Sequence, residues 1–150
     1  MNFLAVLVVF LAAAIGMEGV AWATHRYVMH GSLWVLHADH HRPSGRGLQR
    51  NDAFSLFFAA IAIALIAGGV LLWQSPLLVA AGAGMTLYGA GYFLFHDVMF
   101  HRRVRRLQLK AGTRYLRRIV AAHREHHRHS GPAEGEAFGF LYAPARYDVG

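Results

Sequence analysis

The sequence has no cysteine and few charges. Only 15% of its 150 residues are charged, against about 25% in an average soluble domain. Without cysteine there is no disulfide, no cysteine-ligated iron–sulfur cluster, no haem–thiolate oxygenation and no thiol nucleophile. Acids are scarcer than bases, 8 against 15, and the formal charge is +7 with histidine neutral. Basic residues are themselves missing from two long stretches: none precedes Arg26, and none lies between Ala53 and His101. Two catalytic signatures are also absent. There is no His-Glu-x-x-His, which argues against a metalloprotease, and no Glu-x-x-His of the soluble di-iron bundles. The length allows one domain, residues 1–150, not two.

Three apolar runs fill the uncharged stretches: Asn2 to about Thr24, Phe54 to Trp73, and Leu77 to Phe95. Each is near the ~20 residues that a helix needs to cross a bilayer. Three such helices in a chain this short would leave a soluble protein too little polar surface. The fold class that follows is all-α and integral to the membrane, with spans at about 2–24, 53–73 and 76–98. Gln74-Ser75-Pro76 is a short uncharged turn, with Ser75 placed to cap the third helix and Pro76 suited to its first turn. All basic residues lie at the other helix ends, so the positive-inside bias puts them in the cytoplasm, with the N-terminus outside and the C-terminus inside. Such a topology suits the bacterial cytoplasmic membrane. The first run has no positive region before it, and Glu18 and His25 follow directly, so it reads as a helix and not as a signal peptide. The basic run His101–Arg118 continues a membrane helix, which fits anionic lipid headgroups better than nucleic acid.

Between the spans the sequence predicts a short helical piece around Leu33–His41, ended by Arg42-Pro43-Ser44-Gly45. Asn51-Asp52 should cap the second long helix. The third should run from Pro76 to about Leu109, and Thr113 should cap a further helix through His129. The tail Phe138–Pro144 is aromatic but too short to span, and it suits packing on the cytoplasmic face or the interface.

Ten of the eleven histidines fall into four boxes: His25-x4-His30, His37-x2-His40-His41, His96-x4-His101 and His123-x2-His126-His127. A wide pair followed by a triplet occurs twice, in segments 25–41 and 96–127, which the topology makes cytoplasmic. Positions i, i+3 and i+4 share one helix face, so each triplet projects three imidazoles together. The wide pair does not, because five residues turn an α-helix by about 500° and leave the side chains about 140° apart. A π-bulge would let them converge, so at least one wide pair should depart from regular α-helix. A lone histidine is ordinarily a satisfied polar group, and a His-rich tract can be a loose metal buffer. Here the spacing recurs on helices, and neutral imidazole is the form that binds metal. An ordered metal centre follows.

Imidazole suits zinc, copper, iron and nickel alike. Since a zinc site takes three or four protein ligands, ten histidines fit two ions better, at about five each. A pair of irons for oxygen chemistry is the best remaining choice. Asp39, Asp97 and Glu125 lie in or between the boxes and suit hydrogen bonds that orient metal-bound rings. Surface solvation is their rival role. Glu18 sits within the first span, two turns before His25, where an acid is a functional candidate. The small residues of the third helix, Gly84 and Gly89 among them, could leave a groove for a flat lipid, although close helix packing is the commoner reason for them.

Gly16-Met17-Glu18, His25 through Gly31, His37 through His41, Asn51-Asp52, Gly82 through Gly89, His96-Asp97-x3-His101, Ala122 through His127 and Phe138 through Pro144 together resemble the bacterial β-carotene hydroxylases. These belong to the membrane fatty acid hydroxylase and sterol desaturase-like superfamily. The likeness runs in order from Gly16 to Pro144, and the four residues between His25 and His30 separate it from related desaturases and ketolases, which typically have three. The resemblance implies a non-haem di-iron monooxygenase that uses O2 to hydroxylate C3 of the β-ionone ring, converting β-carotene through β-cryptoxanthin to zeaxanthin. It implies electrons from ferredoxin and its reductase, and the ten boxed histidines as iron ligands; it gives His129 no role. The basic cytoplasmic face would suit an acidic ferredoxin. Left open are the same chemistry on a keto-carotenoid, fatty acid or sterol, and a non-catalytic membrane metal-binding protein.

Overall fold

The computed structural model describes residues 2–42, 47–104, 106–107, 109–133 and 135–149. Helix α1 (Phe3–Ala23) begins where the Asn2 side chain accepts the Leu4 N–H at 3.0 Å, which satisfies one of the donors a helix start leaves over. It runs directly into a π-helical segment, Thr24–Ser32. Together they make a rod of 30 residues, about 45 Å long at 1.5 Å per residue. The rod ends at Gly31, whose backbone is no longer helical (φ −113°, ψ −117°). Helix α2 (Trp34–His41) follows. The turn expected at Pro43-Ser44-Gly45 lies outside the described residues.

Helix α3 (Asp52–Leu71) and helix α4 (Pro76–Tyr92) form a hairpin, and α4 continues into a second π-helical segment, Phe93–Phe100. Pro76 occupies the first turn of α4 as expected, but the Ser75 side chain makes no capping bond. Its backbone closes the hairpin instead, with the Ser75 N–H donating to the Gly69 carbonyl at 2.8 Å. The rods Phe3–Ser32, Asp52–Leu71 and Pro76–Phe100 are long and apolar enough to cross a membrane. They leave Phe3, Ile15, Leu56, Ile63 and Leu71 exposed, as helices covered by lipid do. The chain is an all-α integral membrane protein, and the described residues contain no strand.

Helix α4 packs on both α1 and α3, and two glycines two residues apart show how closely. A Cβ on Gly82 would meet Ile66 Cγ1 at 2.7 Å and the Ala62 carbonyl at 2.8 Å, both on α3. One on Gly84 would press on the Phe10 carbonyl and on Ala13 Cβ of α1, the latter at 2.9 Å.

The third rod stops at Phe100 and does not reach Leu109. Arg102 adopts φ 51°, a left-handed backbone rare outside glycine. That turn returns Arg103 to the rod, where its N–H donates to the Asp97 carbonyl at 2.9 Å. Helix α5 (Arg114–His126) is capped by the Thr113 hydroxyl, which accepts the Leu116 N–H at 3.1 Å. It ends short of His129. The aromatic tail then crosses back, burying Phe140 with Met17 and Tyr88.

Candidate metal centre

His25 and His30 lie in the first π-helical segment, and His96 lies in the second with His101 directly at its end, so the expected departure from α-helix occurs twice. The Leu33 N–H reaches the Val28 carbonyl at 2.9 Å and the His101 N–H reaches His96 at 3.0 Å, each bond closing on the fifth residue back. This wider turn superposes residues that an α-helix would splay apart. The rings of His25 and His30 consequently lie 5.1 Å apart, and those of His96 and His101 4.6 Å.

The ten boxed histidines meet in one place. His25, His30, His37, His41 and His126 offer nitrogens that all lie within 4.8 Å of one another, and His40, His96, His101 and His123 form a second such group. His127 packs its ring 4.7 Å from those of His40 and His101 and 4.5 Å from those of His41 and His123. The two groups follow the sequence repeat with one exchange. Each takes its own wide pair and the outer members of its own triplet, then borrows the middle member of the other triplet. His126 thus joins the first group and His40 the second, where it stacks on His96 at 4.8 Å.

What turns the rings inward is visible at their outer nitrogens. His25 Nδ1–H donates to the Phe138 carbonyl (3.0 Å), His30 to Pro132 (3.3 Å) and His126 to Glu136 (2.7 Å). His37 donates to Asn51 Oδ1 (2.6 Å) and His40 to Gln49 Oε1 (3.1 Å). A carbonyl can only accept, so these rings carry the proton on Nδ1 and present a bare lone pair at Nε2. Yet His30 Nε2 and His126 Nε2 face each other at 3.2 Å, and His25 and His37 do so at 3.1 Å. Two lone pairs pointed together want a cation between them, which is what a metal site supplies. Burial keeps the rings outside the spans neutral. It lowers His37 to about 2, His126 and His101 to about 3, and His40 and His41 to about 4, with neighbouring charge adding to the effect. Neutral, convergent and dry, the donor set fits two transition-metal ions.

The acids act elsewhere. Among the described residues, none of Glu18, Asp39, Asp97 and Glu125 hydrogen-bonds a boxed histidine. Asp39 accepts the Arg50 N–H (2.6 Å), and Glu125 pairs with Arg128 (2.9 Å). Asp97 lies 3.7 Å from His96 Nδ1, too far for a hydrogen bond, and instead holds Arg103 at 2.6 Å. Glu18 holds the aromatic tail. Carbonyl and amide oxygens do the orienting that the sequence assigned to carboxylates. Asn51 does stand at the start of α3, but its side chain serves His37 and caps nothing.

A cavity of about 1010 Å³ opens between α1, α3 and α4 and ends at His25, His37, His96 and His123. Its walls are apolar, with Met17, Phe58, Ala62, Met85, Tyr88 and Phe93 among them. Gly89 lines it, and a Cβ there would meet nothing within 4 Å. Gly84 does not belong to a groove, because α1 closes over it.

The sequence profile of the family described as fatty acid hydroxylase matches residues 10–144. The chain belongs to the fatty acid hydroxylase family. It is 43% identical over 141 residues to a β-carotene hydroxylase of Pantoea ananas, an overlap covering 92% of this chain and 77% of the relative. A β-carotene hydroxylase of Pseudescherichia vulneris is 42% identical over 142 residues (94% and 78%), and one from a Paracoccus species 40% over 146 residues (95% and 85%). No solved structure matches the chain.

In this fatty acid hydroxylase family member, three residues to which sequence reasoning gave no part in the site support the histidines. Gln49 and Asn51 fix His40 and His37, and Arg103 anchors the segment that carries both. The Arg103 guanidinium meets the two oxygens of Asp52 at 2.7 Å each and Asp97 at 2.6 Å, while Asp52 accepts the Gln49 N–H at 2.9 Å. The signal for Arg103 was its place two residues after a wide pair, hidden among neighbouring arginines. His129, outside the boxes, joins Glu125 and Glu136 in a third group of possible ligands. Both carboxylates there are already paired, with Arg128 and Arg146.

Proposed function

We propose that this chain is a β-carotene hydroxylase that places a hydroxyl on C3 of each β-ionone ring, giving β-cryptoxanthin and then zeaxanthin. The observation that carries the reading is the apolar cavity, which is lined by the membrane helices and by His25, His37, His96 and His123 of the histidine cluster. The family membership and the names of the relatives support the substrate. His25, His30, His37, His41 and His126 would hold one iron, and His40, His96, His101, His123 and His127 the other. Iron in such a site supplies the activation of O2 that an inert C–H bond needs. Overall, one oxygen atom of O2 enters the C–H bond and the other leaves as water, consuming two electrons and two protons. We assign the electrons to ferredoxin and its reductase, drawn by the basic face of a cytoplasmic histidine region.

The residues of the chain bind, orient and exclude water. A carotenoid dissolved in the bilayer enters between α1 and α3, which both pack on α4, and lies along Phe58, Ala62, Met85 and Gly89, which offer it no polar competitor. Its ring stops among Tyr92, Phe138 and Phe140, beside His25 and His123. The Nδ1–H bonds of His25, His30, His37 and His126 hold those four imidazoles in one rotamer and tautomer, so that their inner nitrogens do not reorient during turnover.

Expression in cells that accumulate β-carotene, followed by pigment chromatography, tests the proposal. Zeaxanthin and β-cryptoxanthin are expected. Unchanged β-carotene with hydroxylated fatty acid or sterol, or with metal bound and no oxygenated lipid, would overturn it.

A further inference from the structure

Glu18 lies in a membrane-spanning rod, and among the described residues its carboxylate makes no ion pair. Its Oε1 accepts three consecutive backbone N–H groups, those of Phe140 (2.9 Å), Leu141 (2.7 Å) and Tyr142 (3.2 Å), and its Oε2 accepts the Tyr88 hydroxyl (2.8 Å). Those three donors belong to one non-helical segment, the first of them 122 residues downstream. Gly139 makes the approach possible, since a Cβ there would stand 3.3 Å from Oε1 and 3.0 Å from the Tyr142 carbonyl. From the other side, Tyr115 of α5 donates to the Leu141 carbonyl.

This segment is a partition. Phe138, Gly139 and Phe140 form a wall of the substrate cavity. Phe138 and Gly139 also border a second cavity of about 460 Å³, lined further by Trp22, Arg26 and Arg146. The partition also touches the metal centre, because the Phe138 carbonyl takes the His25 Nδ1–H and the Phe138 ring stands edge-on to His25 at 5.4 Å. A single chain segment therefore sets both the orientation of one imidazole and the depth of the cavity beside it.

We propose that residues 138–142 are a strap latched to α1 by Glu18, and that this latch decides which ring carbon is oxidised. It rests on the hydroxylase reading. A β-ring presents neighbouring methylenes, and the one beside the ring double bond carries the weaker, allylic C–H, so oxidation at C3 must come from where the ring stops. Glu18 touches neither ring nor metal ligand and acts through the strap, as a positioning residue.

The absence of cysteine provides a clean probe. Tyr142 has an exposed side chain (73%), so Tyr142→Cys carries a single spin label on the strap of the full chain in lipid vesicles. Adding Glu18→Gln should shorten the label's rotational correlation time at least threefold while the iron content stays at the parent level. In β-carotene-accumulating cells Glu18→Gln should hydroxylate at least tenfold more slowly and give products oxygenated at a second ring carbon. A label as immobile as in the parent, or a mobile label with the parent's single product, would overturn the proposal. If Glu18→Gln fails to accumulate, Tyr88→Phe removes one of the four bonds and should give intermediate mobility and a mixed product; parental behaviour in both would overturn it equally. A parent chain that makes no hydroxycarotenoid would sink the substrate reading instead, leaving label mobility to judge the latch.

Discussion

A neutral imidazole offers one lone pair, and the group that takes its proton decides which nitrogen carries it. Here that group is a carbonyl or amide oxygen for five of the ten boxed histidines, as the Nδ1 contacts of His25, His30, His37, His40 and His126 show. Asn51 is the most instructive. Its place before an apolar run reads as a helix cap, and the same side-chain oxygen suits either role. The α3 start is closed without it, by the Asn51 carbonyl accepting the Phe54 N–H at 3.1 Å and by Asp52 accepting the Gln49 N–H, so the amide is free to serve His37. Asn51→Ala should weaken metal retention about 10–100-fold, the usual cost of losing an orienting partner. Competition against a graded series of chelators would measure it; parental resistance would show that His37 needs no such support.

At the level of elements, the apolar runs and the turn at Pro76 were legible because each depends on residues adjacent in sequence. The π-helical segments were legible too, since two ligands five apart cannot converge on an α-helix. The end of the third rod was not. Its arginines looked like a continuing helix face, whereas Arg103 is committed to Asp52, a residue no periodicity links to it. The glycines of α4 divide in the same way. Gly84→Leu would drive its side chain into the Phe10 carbonyl and Ala13, and overpacking of this kind costs about 1–3 kcal/mol or more. It should lower the melting temperature and the yield of folded protein. Gly89→Leu fills open space on the cavity wall. It should keep fold and metal while raising KM for the carotenoid about tenfold, or 1.4 kcal/mol. Equal behaviour of the two variants would count against the division.

For the molecule as a whole, the cluster is a store of imidazoles that the folded state keeps neutral. His37, His40, His41 and His126 have folded values between about 2 and about 4, below the ~6.5 of the unfolded chain. Above pH ~6.5 neither state takes these protons, and stability is level. As pH falls below it, the unfolded chain binds protons that the folded one refuses, so stability declines until the folded values are reached. The metal-free protein should therefore hold its melting temperature near pH 7 and lose it steadily between pH ~6.5 and 4. A flat profile over that range would mean that the rings protonate without unfolding. The exchange of His40 and His126 between the two groups carries a different consequence, one for biosynthesis. Four of the five nitrogens of the first group exist once α2 has been made, but the fifth arrives only with α5. The five-nitrogen set is thus completed only when the last long helix to be made folds back against the first two.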